Sequence, residues 1–244
     1  LGHTLALLVN GQLFSWGNGG NGRLGLGDTS DRATACHVAA LQDVRLAEVF
    51  CGASHSLAVA CDGRGFSWGK NNQGQCGHGT SADQPLPLYI EGMGGSLVAL
   101  AGGWEHTLAL RRDGHVLSFG AGYKDSRRGA VPPVLGHGDT ERHVLPKVIE
   151  ALHVRAVHIA CGWDHSMAVS SDGELFTWGS GSNGKLGHGD DENRSVPTRV
   201  EALGGTRILQ VGGGCEHTAA ITVDGELYTW GHGDSGRLGH GSNS

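Results

Sequence analysis

One pattern recurs five times along the 244 residues and decides what the chain can become. Each copy holds a His-Thr or His-Ser pair, a short apolar segment, an Asn-Gly or Asp-Gly dipeptide, and a second short segment ending in Trp-Gly or Phe-Gly. The histidines are His3, His55, His106, His165 and His217, at steps of 52, 51, 59 and 52 residues. A period of that size belongs to units that cannot each bury a hydrophobic face alone, so they stack and share one. One continuous domain over residues 1–244 is expected, with repeat cores beginning near residues 1, 53, 102, 161 and 213. Whatever recurs builds the fold, and function is to be sought in what differs between copies.

Asn10-Gly11, Asp62-Gly63, Asp113-Gly114, Asp172-Gly173 and Asp224-Gly225 predict five β-hairpins with two-residue turns. Such dipeptides supply the positive backbone angles that those turns require. A Gly-rich loop follows each hairpin, closing on Leu-Gly-Leu-Gly, Cys-Gly-His-Gly or Leu-Gly-His-Gly. A second pair of strands comes next, as in Pro146–Ile149 with Val154–Cys161. Four short strands per unit of roughly 50 residues describe an all-β propeller blade. Four strands for each full period and two for the last copy predict 18 strands, about four and a half blades. That number does not divide by four, so an incomplete propeller, part of a longer chain, is expected.

Glycine, at 44 residues, is well over twice its ordinary share of about 7%, and its lack of a three-residue period excludes collagen. The formal charge of −6 gives no bulk attraction to phosphate backbones and weighs against direct nucleic-acid binding. No apolar run is long enough to span a membrane, and the start lacks the features of a signal peptide. The six cysteines form neither a Cys-x-x-Cys pair nor a compact disulfide spacing, which suits a reducing compartment. The chain therefore reads as intracellular, in cytoplasm or nucleus.

Three copies contain Gly-x-Gly-x-x-Gly, but a dinucleotide site needs a helix opening at the end of that motif, and here Leu-Gly follows, so turns are expected. Nine histidines recur, five in the His-Thr/Ser pairs and four as His78, His137, His188 and His240. A metal needs three or four converging ligands, whereas these recur about one per blade, so hydrogen bonding is expected and no metal or other cofactor. Asp28, Asp139 and Asp190 read as turn caps. Trp16, Trp68, Phe119, Trp178 and Trp230 read as packing between blades. No nucleophile stands at a spacing that marks it with a base, so no catalytic residue is assigned and the chain is not expected to be an enzyme.

The succession of Gly-x-x-His-Thr/Ser, Asp-Gly-x-Leu-Phe-Thr-Trp-Gly and Gly-x-Leu-Gly-His-Gly-Asp resembles the regulator of chromosome condensation repeat family over essentially the whole chain. That resemblance implies a propeller, typically of seven blades, that acts by binding proteins. Two features break the repeat. Trp104 and Trp163 resemble the light-sensing tryptophans of the plant UV-B photoreceptors in this family. Glu105, Asp164 and Glu216 stand where those photoreceptors carry arginine, and Cys215 stands in place of a third tryptophan. The three carboxylates form an acidic row, either a surface for a basic partner or a solvated face.

The second feature is the loop Ala121–Val134, eight residues longer than its counterpart Asn18–Arg23. Its Tyr123, Lys124, Asp125, Arg127 and Arg128 are candidate partner contacts, since insertions in repeats fall on loops of one face. The expected function is a protein-interaction platform. Family resemblance adds two sharper forms: guanine-nucleotide exchange on a Ran-type small GTPase, and substrate recruitment for a HECT-type ubiquitin ligase whose catalytic domain lies outside this stretch.

Overall fold

The computed structural model describes residues 2–121 and 132–241. Its strands form five antiparallel sheets, the blades of a β-propeller. The first blade holds β1 (His3–Leu7), β2 (Leu13–Gly17) and β3 (Arg32–His37). In the second are β4 (Leu46–Cys51), β5 (His55–Ala60), β6 (Gly65–Gly69) and β7 (Gln84–Tyr89). The third has β8 (Leu97–Gly102), β9 (His106–Arg111), β10 (Val116–Gly120) and β11 (His143–Val148). The fourth has β12 (Ala156–Cys161), β13 (His165–Ser170), β14 (Leu175–Gly179) and β15 (Arg194–Arg199), and the fifth β16 (Ile208–Gly213), β17 (His217–Thr222) and β18 (Leu227–Gly231). These are the 18 strands expected, shared out as three blades of four and two of three.

Two expectations are corrected. The strands after each Gly-rich loop do not pair with each other: β11 closes the third blade against β10, and β12 opens the fourth against β13. The link between them lacks a turn dipeptide and carries the chain from the rim of one blade to the axis of the next. The hairpin turns also have three residues rather than two. Leu8 N donates to Gln12 O and Gly11 N to Leu8 O, and of the two turn residues only Gly11 has positive φ, at 87°. This is a type I turn followed by a left-handed glycine. Asn10 stays right-handed because its side chain accepts from the Gln12 N–H, as Asp62 and Asp113 do from residues 64 and 115.

Apolar side chains on both faces of the middle strands make β5 and β13 buried from end to end. They gather into four clusters, and each cluster lies between two successive blades rather than inside one. Trp68, Phe119 and Trp178 are fully buried at three of these joints and Trp230 is half-buried at the fourth. A buried Trp of about 150–250 Å² is worth roughly 4–6 kcal/mol of transfer free energy as an upper bound. Burial therefore supplies most of the attraction between blades. Polar groups set their register.

Strand direction sorts the connections onto two faces. One face carries the turns from each innermost strand to the next, together with the Gly-rich loops. The other carries the Asp-Gly hairpins and the entries to the innermost strands.

Candidate functional site

The repeated His-Thr/Ser pair is a latch between blades. His55 Nε2 lies 2.9 Å from Thr107 Oγ1 of the next blade, and that hydroxyl donates to Gln75 O in the loop of the first. The same relay joins His3, Ser56 and Arg23 O, then His106, Ser166 and Val134 O, then His165, Thr218 and Lys185 O. Each hydroxyl spends its single proton on the carbonyl, so the imidazole must donate from Nε2 and leave Nδ1 bare. At His3, His55 and His165 that Nδ1 is buried without a partner. Burial accordingly holds the imidazoles far below their ordinary pKa, to about 4 at His3 and His106 and about 3 at His55 and His165. An indole Nε1–H caps the same carbonyl at three joints, Trp68 on Arg23, Trp178 on Val134 and Trp230 on Lys185.

The glycine three residues before each histidine is there for space. A Cβ on Gly52, Gly103, Gly162 or Gly214 would stand 2.2, 2.1, 1.9 or 2.1 Å from Cε1 of its own histidine. The tight turn is closed by a bond from that glycine N–H to the histidine carbonyl.

The Gly-His-Gly histidines are used within a blade. His78, His137, His188 and His240 lie 2.8–3.0 Å from Ser67, Ser118, Thr177 and Thr229, whose hydroxyls donate to Cys76, Leu135, Leu186 and Leu238 carbonyls. Asp28, Asp139 and Asp190 accept from backbone N–H groups two residues on, as turn caps do. Nearly all the recurring polar chemistry is thus consumed by architecture.

What remains lies on the face of turns and Gly-rich loops. Ala53, Trp104, Trp163 and Cys215 hold equivalent positions, and a chain of backbone bonds crosses between their turns: Ala53 N to Gly103 O, Trp104 N to Trp163 O and Trp163 N to Gly214 O. This alignment stacks the two indoles, 3.9 Å between centroids and 8° from parallel. They border a crevice of about 230 Å³ with Cys51, Cys161 and Cys215. Burial raises all three thiols, which disfavours the thiolate and with it nucleophilic chemistry.

An RCC1-like domain model matches residues 1–212 and a regulator of chromosome condensation (RCC1) repeat matches residues 224–244. The chain belongs to the RCC1-like domain family. This RCC1-like chain is 41% identical over 244 residues to the ultraviolet-B receptor UVR8 of Arabidopsis thaliana, covering 99% of the chain and 54% of the receptor. It is 35% identical over 240 residues to the E3 ubiquitin-protein ligase HERC2 of Homo sapiens, covering 95% of the chain but 5% of the ligase. The chain thus spans about half the length of one relative and a small part of the other. Among solved structures, Prp20p of Saccharomyces cerevisiae superposes with a TM-score of 0.75 at 26% identity, over 91% of this chain and 54% of that one. That structure was reported with its binding to Gsp1p and histones.

Within this RCC1-like propeller the acidic row is assembled on one face, and each member has a cation. Glu105 is buried, with Lys70 Nζ 2.5 Å away. Lys185, fully buried, sits 2.7 Å from Asp164 and 2.6 Å from Glu216. Burial raises the Asp164 carboxyl while its contact with Lys185 lowers it, and burial prevails. Lys70 and Lys185 are members of this row that sequence reading missed. The signal for Lys185 was present, because Arg23 and Arg237 hold the same place before the Leu-Gly of their copies.

Tyr123, Lys124, Asp125, Arg127 and Arg128 lie outside the described residues. The described anchors of that loop are on the same face: Ala121 N donates to Glu105 O, and Val134 O is the acceptor of the third latch.

Proposed function

We propose that this chain is a protein-interaction platform that engages its partner through the face of turns and Gly-rich loops. One observation carries the reading. The recurring polar groups are used up in latches, whereas the described anchors of the long loop, the stacked tryptophans and the ion pairs of the acidic row all belong to one face. Tyr123, Lys124, Asp125, Arg127 and Arg128 supply the adjustable contacts, and Asp164 and Glu216, each about a third exposed, the acidic ones. Glu105 is buried, so it acts by holding Lys70 rather than by touching the partner. Rigid strands carrying variable loops suit recognition better than bond chemistry.

Substrate recruitment to a ubiquitin ligase is the preferred finer form, with HERC2 as the relevant relative. Exchange on a Ran-type GTPase is the alternative, with Prp20p as its counterpart. A photo-crosslinking residue at Tyr123, compared with one at exposed Val9 on the opposite face, tests the platform. A discrete adduct from Tyr123 alone is expected, and equal labelling from both sites would overturn the reading. Accelerated nucleotide release from a Ran-type GTPase would move the finer assignment to exchange.

The face-to-face indoles of Trp104 and Trp163 favour a second reading, absorption of UV-B light, alongside the similarity to the Arabidopsis receptor. Its test is light scattering before and after irradiation. No change in size, in wild type as in Trp104→Phe, removes it.

A further inference from the structure

The opposite face carries the hairpin turns, and the first of them is anchored less firmly than the three that follow. The carbonyls of Gly63, Gly114 and Gly173 each accept a hydrogen bond from the next blade, given by the N–H groups of Leu97, Ala156 and Ile208. A Cβ on these glycines would run into that blade, 2.7 Å from Ser96, 2.2 Å from Arg155 and 3.0 Å from Arg207. Among the described residues no such bond reaches Gly11 from the second blade, and a Cβ there would meet nothing within 4 Å. Its neighbours give no anchor either, since Val9 is fully exposed and Leu8 is 45% exposed. The turn is held by its own two bonds, Gly11 N to Leu8 O and Leu8 N to Gln12 O.

This loosely held turn is also the one that has Asn rather than Asp before its glycine. We infer that Asn10 is a modification site, where the side-chain amide is lost without an enzyme and aspartate takes its place. The Gly11 nitrogen gives up its proton and attacks Asn10 Cγ. An N–Cγ bond forms, the Cγ–Nδ2 bond breaks, and ammonia leaves with the proton. Water then opens the five-membered imide, and nothing is oxidised or reduced. Addition of water at Cγ restores the main chain and leaves aspartate. Addition at the main-chain carbonyl carbon leaves isoaspartate, whose backbone runs through Cβ and Cγ. Glycine on the attacking side has no side chain to obstruct the approach and moves freely through backbone angles closed to other residues.

The aspartate product fits the turn. Asp62 and Asp113 accept from the backbone N–H two residues on at 3.0 and 3.1 Å, and Asn10 Oδ1 accepts from Gln12 N at 3.1 Å in the same way. Hydrolysis keeps that bond and gives up only the exposed one from Asn10 Nδ2 to Gln12 Oε1. The first copy then carries the residue that the other four already have. Isoaspartate instead adds a main-chain atom inside a turn closed by two bonds and puts both out of register.

Three other Asn-Gly pairs are held against the same reaction. The attacking amides of Gly19 and Gly184 donate to carboxylates, at 2.8 Å to Asp31 and 2.7 Å to Asp191, and a negative charge there opposes loss of the proton. Gly22 is pinned, since a Cβ on it would stand 2.4 Å from Pro85 Cα, and the Asn21 amide donates to Asp83 of the second blade at 2.7 Å.

The test holds the intact protein in ¹⁸O-labelled water at mildly alkaline pH, folded in one sample and unfolded by guanidinium in the other. Peptide mass spectrometry follows label uptake at Asn10, Asn18, Asn21 and Asn183 over time. Folding should slow the reaction at least tenfold more at each of the other three sites than at Asn10, and Asn10→Gln should abolish the uptake at that position. Asn10→Asp, made directly, should unfold at the same guanidinium concentration as the wild type. A smaller gap between Asn10 and any of the other three would overturn the inference that the free turn makes the site. A lower unfolding midpoint for Asn10→Asp would overturn the inference that the fold accepts the product.

Discussion

Between the second and third blades the accepting carbonyl of Gln75 receives one hydrogen bond, from Thr107; between the fourth and fifth the matching carbonyl of Lys185 receives two, from Thr218 and Trp230. The first joint has Phe119 where the second has an indole, and it holds its buried carboxylate with Lys70 from the loop's start rather than with the residue at position 75. Each joint nevertheless buries an aromatic ring, completes a histidine latch and neutralises the acid beside it. Requirements are set by position, while the side chain that meets them is free to change.

If latches are equivalent across joints, acid should weaken them alike, and this is the largest expected effect. The folded imidazoles of His55, His106 and His165 are held neutral, with pKa values of about 3, 4 and 3, whereas unfolded ones take a proton below about pH 6.5. Their stabilisation is therefore fully present above pH 6.5 and is lost as pH falls towards 4. Each buried ring removes about 1.4 kcal/mol per pH unit over that window, so the three together remove roughly 6 kcal/mol by pH 5. Urea unfolding at a series of pH values measures the slope. His55→Gln and His165→Gln, which keep a donor but do not titrate, should each remove about a third of it. Unequal reductions would show that the joints are not interchangeable.

The next effect separates the two ion clusters. Lys185→Met removes a fully buried cation from between two carboxylates and leaves them facing each other; about 3 kcal/mol is expected, the low end for a broken buried pair because both acids are partly wet. Raising the pH should deepen the loss, since burial holds the Asp164 carboxyl above its ordinary range and ionises it more fully only as the pH rises. A loss below about 1 kcal/mol in urea unfolding at pH 7 would mean that the cluster is solvated like a surface pair.

Much of this was legible in the sequence where a residue acts through its own repeat. The His-Thr pair, the glycine before it and the Trp-Gly ending recur at one spacing, so strand number and the structural use of the histidines could be read. Turn type was not legible, because Asp and Asn before Gly serve both the two-residue and the three-residue hairpin and their side-chain bonds decide. Sequence neighbours such as β11 and β12 also gave no sign that they belong to different blades. Least legible were contacts between copies. Glu216 and Lys185 are 31 residues apart and Glu105 and Lys70 are 35, at positions that do not correspond, so a row read as acidic is in the fold a row of pairs.

Trp178→Phe would turn the third joint into the chemistry of the second. Val134 O keeps its bond from Ser166, so no acceptor is left orphaned and the lost indole bond costs about 1 kcal/mol. The smaller ring leaves a partial void worth about another 1 kcal/mol. A total of about 2 kcal/mol in urea unfolding is expected, with less for Trp230→Phe, whose ring is only half-buried. The reverse order would assign the energy of the joint to the indole bond rather than to burial.

The smallest effect is at Lys70. Its side chain is a quarter exposed, so water reaches the pair from the lysine side and Lys70→Met leaves a single carboxylate without its cation. About 1 kcal/mol is expected in urea unfolding at pH 7, the upper end for a partly wetted pair. Lys185→Met leaves two carboxylates that repel each other, so its cost should be the larger. If the two lysines cost the same, the fourth-to-fifth joint gains nothing from sharing one cation between two acids. The position of that cation would then be an accident of the loop rather than a condition of the fold.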